Sequence, residues 1–117
     1  MTDQQYTPLC LLHDLPDPGS RGMTVKTHFG VLEILLVHKA GKVFGYINRC
    51  PHTGVNLDWS PDKFLDLTNS FIQCATHGAL FRIEDGVCLH GPCAGDRLKA
   101  IELRIERGTV FFGHTEL

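Results

Sequence analysis

The 117-residue chain is poor in several things that would point to common functions. It has no basic excess: 11 Lys and Arg stand against 13 Asp and Glu, a formal charge of −2. That removes the electrostatic footprint of a nucleic-acid binder and the polybasic stretch of a membrane-surface protein. The longest apolar stretch, VLEILLV at residues 31–37, is broken by Glu33. It falls far short of the roughly 20 residues that cross a bilayer as a helix. The first residues, MTDQQYTPLC, lack the basic start and apolar run of a signal peptide, so a cytoplasmic location is expected. Cysteines number five, an odd count that suits a disulfide framework poorly. With 43% hydrophobic residues, the chain has enough apolar side chains for one modest core and a single domain.

What is present reads as β structure. GVLEILLV (30–37) and GKVFGYIN (41–48) flank the polar turn HKAGK and predict a hairpin. ALFRIEDGVCLH (79–90) predicts a second, turning at Asp85-Gly86 in a type I′ turn. AIELRIERGTVFFG (100–113) predicts a third, with Ile101, Leu103 and Ile105 alternating against Glu102, Arg104 and Glu106. Only SPDKFLDL (60–67) suggests a helix, of two turns at most, with Ser60 as cap and Pro61 in the first turn. The fold class is all-β, an antiparallel sandwich or barrel.

Chemistry concentrates in two short segments, CPHTG (50–54) and CATHG (74–78). Each joins a thiolate donor and an imidazole donor, soft and borderline ligands that transition metals prefer, and each runs into a glycine. A third glycine-rich segment, HGPCAG (90–95), could converge on the same place. A structural zinc site with two Cys and two His is one reading, but zinc modules usually pair Cys with Cys and His with His. Here each arm mixes the two, as Cys50-x-His52 and Cys74-x-x-His77. That distribution suits a [2Fe–2S] cluster with two cysteines on one iron and two histidines on the other. Glycines beside the ligands let backbone N–H groups approach bridging sulfides.

From Cys50 to Pro92, the segments CPHTGVNL, CATHGALF, Gly86 and Gly91-Pro92 resemble the Rieske iron–sulfur domain. The chain is similar to the free-standing Rieske ferredoxins that serve bacterial ring-hydroxylating oxygenases. The resemblance implies a β-sandwich base with a cluster-binding subdomain inserted at about residues 47–95, one domain over 1–117, and one [2Fe–2S] cluster. It implies that Cys50 and Cys74 hold the inner iron, and that His52 and His77 hold the outer iron through Nδ1. It also bears on the potential. High-potential members carry a disulfide between the two ligand loops, but Val55 and Thr76 occupy those positions here. They also place a serine and a tyrosine where this chain has Ala79 and Phe81.

One departure from the family is the long spacer 53–73 between the ligand pairs. Trp59 and Phe64 are expected to fold back as a local core, the alternative being an exposed loop that selects the partner. Cys10, Cys88 and Cys93 read as small buried hydrophobes. His90 reads as a turn residue, and His13, His28, His38 and His114 as surface residues. Glu84 and Asp85 read as a solvated turn rather than an acidic docking edge.

The expected function is one-electron transfer between a reductase and a terminal oxygenase, with no catalytic residues of its own, through small transient contacts as a monomer. A cluster-bearing small subunit of a nitrite-reductase-like oxidoreductase is the alternative, followed by the Cys2His2 zinc module. No membrane or nucleic-acid partner is expected.

Overall fold

The computed structural model describes residues 6–27, 30–51, 56–57, 62–74, 78–91 and 93–113. Nine strands form three antiparallel sheets of three strands each among these residues. The first sheet has the order β1-β9-β8, made of β1 (Thr7–Leu11), β8 (Leu103–Glu106) and β9 (Thr109–Phe112). In the second, β2 (Gly19–Thr27) and β4 (Lys42–Ile47) flank β3 (Gly30–Lys39). The third contains β5 (Phe71–Gln73), β6 (Leu80–Arg82) and β7 (Cys88–His90), in that order. Apart from a single 3₁₀ turn at Leu12–Asp14, no helix occurs among the described residues, and the expected all-β class holds.

Strand β3 explains how the base carries the third sheet. Its residues Ile34, Leu35, Leu36 and Val37 are all buried. Successive side chains of a strand point to opposite faces, so four buried in a row require cover on both sides. Ile34 packs with Val25, Ile101 and Phe112, and Leu36 with Leu15 and Val110, which is the core between the first two sheets. Leu35 and Val37 belong to a second core with Tyr46, Phe64, Ile72, Phe81, Ile83 and Leu98, on the side of the third sheet. Gly45 of β4 keeps the two sheets of the base close: a Cβ there would lie 2.9 Å from Ile101 and Leu103.

Two of the three predicted hairpins close in tight two-residue turns. β3 and β4 turn at Ala40-Gly41, and β8 and β9 at Arg107-Gly108, with positive φ at both central residues of each. Asp17 braces the first of these by accepting the N–H groups of Ala40 and Gly41, both at 2.9 Å. The third hairpin differs. β6 and β7 are joined by residues 83–87, around which Arg82 N–H donates to Val87 O and Gly86 N–H to Arg82 O. Only Gly86 has a positive φ, so the turn is not type I′. The wider loop lets Ile83 fold into the core, where its carbonyl accepts the buried Tyr46 hydroxyl at 2.6 Å.

The expected helix over 60–67 does not form in its described part. Residues 64–66 are extended and pair with β5: Leu65 bridges Ile72, Gln73 N–H donates to Phe64 O and Asp66 N–H to Phe71 O. The reason lies in side-chain demand. Phe64 and Leu65 are adjacent and both buried, and the Asp66 carboxylate accepts the N–H groups of Ser70 and Phe71 as a turn, not a helix, would have it. Asp62 fastens this segment to β2, its carboxylate accepting Gly22 N–H at 2.8 Å and its carbonyl the Ser20 hydroxyl at 2.7 Å. Ser60 and Pro61 lie outside the described residues.

Candidate metal centre

Three loops meet on the second core, and each is held at its ends by specific hydrogen bonds. The first leaves β4 at Ile47. Ile47 N–H donates to Lys99 O and Asn48 N–H to Glu33 O, both at 2.9 Å. The Asn48 side chain, itself buried, then accepts Leu57 N–H at 2.7 Å. It clamps together the two ends of the segment that holds Cys50. Asn56 extends the clamp by donating to the Glu33 carboxylate.

The second loop joins β5 to β6. Cys74 N–H donates to Ala79 O at 2.9 Å, and Gly78 N–H returns to Cys74 O at 3.0 Å. This small ring requires the left-handed backbone of Gly78, φ 66°. The third loop follows β7. It is knit by Ala94 N–H to Gly91 O, Asp96 N–H to Cys93 O and Cys88 N–H to Asp96 O, at 3.1, 2.8 and 2.8 Å.

The thiols of Cys50, Cys74, Cys88 and Cys93 all lie buried in one cluster. Both predicted cysteine ligands, Cys50 and Cys74, are thus buried in the same core, at the starts of two of the loops. The predicted histidine ligands His52 and His77 lie outside the described residues, as do Val55, Trp59, Thr76 and Pro92. Two thiols delivered by short glycine-bearing loops fit an iron–sulfur cluster: thiolate is its usual donor, and a buried site protects it from water.

Residues read from sequence as bland fall out in two ways. Cys10 is half-buried on β1, and burial pushes its thiol up from the ordinary value. Asp85 accepts from Arg82 Nε at 3.0 Å and from Val87 N–H, which holds its carboxyl below the usual range as part of a local turn. Glu84 and His90 are exposed, and so is His13. His38 departs from the surface reading: its ring is only 11% exposed, with Nδ1 3.0 Å from Leu15 O and Nε2 3.7 Å from Asp17. His28 and His114 lie outside the described residues. Phe64 is buried in the same cluster as the cysteines, so this part of the spacer is core, as expected.

Cys93 is the residue that sequence reading undervalued. Its Sγ is 3.0 Å from Cys88 Sγ. Burial, with the Cys88 and Cys50 sulfurs beside it, pushes the Cys93 thiol up to about 12. The one available signal was its place next to Gly91-Pro92, in the third glycine-rich segment.

Comparison with known proteins agrees with this geometry. The Rieske [2Fe–2S] domain family matches over residues 5–103. Among solved structures, a chain from the complex of reduced oxygenase and oxidized ferredoxin in carbazole 1,9a-dioxygenase superposes with a TM-score of 0.76 at 20% identity. The match covers 98% of this chain and 99% of that one. The terminal oxygenase of carbazole 1,9a-dioxygenase from Novosphingobium sp. KA1 superposes with a TM-score of 0.79 at 24% identity. There 97% of this chain covers only 31% of the other. Both likenesses are of fold. No match was found among curated proteins.

Proposed function

The chain belongs to the Rieske [2Fe–2S] domain family, whose cofactor is one [2Fe–2S] cluster, and from that premise we propose that it is a ferredoxin-type carrier of single electrons between a reductase and a terminal oxygenase. The observation that carries the reading is the convergence of Cys50 and Cys74 on one buried cluster, each at the mouth of a loop closed by its own hydrogen bonds. Cys50 and Cys74 hold the inner iron, and His52 and His77 the outer one. Residues of about 47–95 form the cluster-binding subdomain of a single domain spanning 1–117. Bound there, the cluster supplies a one-electron couple.

The chain's own residues set access and rigidity. Asn48 fixes the first loop, the Cys74–Ala79 ring fixes the second, and Gly91 seats the third against Ala79. The reading gives the chain no turnover of its own. The same fold occurs in a chain of an oxygenase–ferredoxin complex and within a terminal oxygenase, and of these two settings the carrier is the one proposed here. It acts in the cytoplasm as a monomer.

Stopped-flow mixing of the iron-loaded protein with flavin-containing reductases tests this. The expected result is one-electron reduction that slows as salt rises, followed by reoxidation on adding a ring-hydroxylating oxygenase. Oxygenation of an aromatic substrate by this chain alone overturns it.

A further inference from the structure

The loop that carries Cys50 leaves the base beside Glu33, and Glu33 holds both of its stems. β4 ends at Ile47, which pairs with Ile34, so Asn48 is the first residue past the strand. Its N–H donates to Glu33 O at 2.9 Å. On the far stem, Asn56 Nδ2 donates to the Glu33 carboxylate. Asn48 Oδ1 accepts Leu57 N–H at 2.7 Å and so ties the two stems to each other. Glu33, Asn48 and the adjacent pair Asn56-Leu57 thus close a ring of three hydrogen bonds.

Glu33 is well placed as an anchor. It pairs with Thr24 of β2, and the four residues after it, Ile34 to Val37, are fully buried. A strand covered on both faces has little room to shift, because its side chains are close-packed. Glu33 itself is exposed, so its carboxylate escapes the desolvation that makes a buried charge costly. The apolar run VLEILLV is therefore broken where the ligand loop departs. The Asn48–Leu57 bond alone would leave the far stem free to turn about a single contact. A second bond at the neighbouring residue removes that freedom, and its charged acceptor makes it the stronger kind.

We infer that Glu33 is a positioning residue for the cluster: its carboxylate, through Asn56, fixes the far stem of the first ligand loop and so holds Cys50 in place for the inner iron. The inference rests on Cys50 being an iron ligand. Glu33 acts through the loop stems and not on the iron itself. A ligand loop releases iron when it opens, and the bonds that close its stems set how often it opens. Losing the Glu33–Asn56 bond should speed that opening and leave the base intact.

The test uses the iron-loaded protein and its Glu33→Ala, Glu33→Gln and Asn56→Ala variants, with the double variant Glu33→Ala/Asn56→Ala. Two quantities are read, amide hydrogen exchange at Leu57 and iron release to a chelator. Glu33→Ala should speed both by roughly threefold to tenfold, the range expected for loss of one hydrogen bond. Exchange in the buried run Ile34–Val37 should not change. Asn56→Ala should match Glu33→Ala, and the double variant should be no faster than either, because all three remove the same bond. Glu33→Gln keeps an acceptor without the charge and should recover about half of the effect on a logarithmic scale. Unchanged exchange and release in Glu33→Ala overturn the inference, and so does faster Leu57 exchange with unchanged release, which would make the ring a feature of the fold alone. Additive effects in the double variant, or no recovery in Glu33→Gln, also overturn it. Should Cys50→Ser keep the native cluster spectrum, the ligand reading itself fails; loss of the cluster there with unchanged release in Glu33→Ala refutes only the anchor.

Discussion

Gly91 lies against Ala79 with no room between them: a Cβ on Gly91 would sit 2.9 Å from both Cα and Cβ of Ala79. The contact joins the third loop to the second ligand loop, and its backbone has φ 112°, where an L side chain is strained. Gly91→Ala therefore meets a steric and a conformational penalty at once. We expect about 2–4 kcal/mol of lost stability and faster loss of the cluster, measured by urea melts and by bleaching of the visible absorption. Gly78→Ala is the control. It has φ 66° but open space at Cβ, so it should cost only about 1–2 kcal/mol.

Asn48 is the one buried polar side chain among the described residues, and it accepts Leu57 N–H across the first ligand loop. Asn48→Ala leaves that buried N–H without its acceptor, at a cost of about 1–3 kcal/mol. Because the clamp closes the loop carrying Cys50, the variant should also release iron faster to a chelator. Unchanged release with lowered stability would show that the clamp serves the fold alone.

How far the sequence foretold this arrangement depends on whether the deciding force was local. The hairpins at Ala40-Gly41 and Arg107-Gly108 were legible, because turn residues and strand alternation act within a few positions. VLEILLV read as a strand, but its burial on both faces by two different cores could not be read from periodicity. At 60–67 a proline, acids and a capping serine imitated a helix start. The outcome was set by Phe64 entering a core with residues far along the chain, and by Asp62 tying to β2. Cys50 and Cys74 stood out as candidate ligands because metal chemistry constrains spacing. The approach of Cys93 to Cys88 was not legible, since it depends on how the third loop folds back on β7.

The turn after the spacer gives a pH prediction. Partial burial pushes the Asp66 carboxyl up, but the N–H groups of Phe71 and Ser70 and the Thr68 hydroxyl outweigh this and hold it below the usual value. A carboxyl with a depressed folded-state pKa contributes stability above its unfolded value of about 3.9, and loses it as pH falls through the folded value. Asp66→Ala should thus destabilise by about 1–2 kcal/mol at neutral pH. The difference from the unaltered protein should shrink below about pH 4. Thermal melts of both proteins across that range check it, and a gap that stays constant to pH 2 would exclude the carboxylate as the cause.

The last prediction concerns the midpoint potential. In the high-potential members of the family, from which this chain departs at these positions, a serine and a tyrosine hydroxyl donate to the cluster sulfurs, and a disulfide links the ligand loops. Ala79 and Phe81 stand at the hydroxyl positions, and both are buried in the same core as Cys50 and Cys74. Tyr46, in the same core, spends its hydroxyl on Ile83 O, and burial raises its pKa further, so it stays a neutral phenol. Each missing donor leaves the reduced, more negative cluster less stabilised. The midpoint should lie near the lower end of the Rieske range, about −150 mV, which suits electrons arriving from a reduced flavin and does not suit quinol oxidation. Phe81→Tyr should raise it, provided the variant retains its iron and the new hydroxyl reaches a ligand sulfur. Protein-film voltammetry at neutral pH decides the matter: a midpoint above roughly +100 mV, well inside the Rieske span, would refute the inference from the missing hydroxyls.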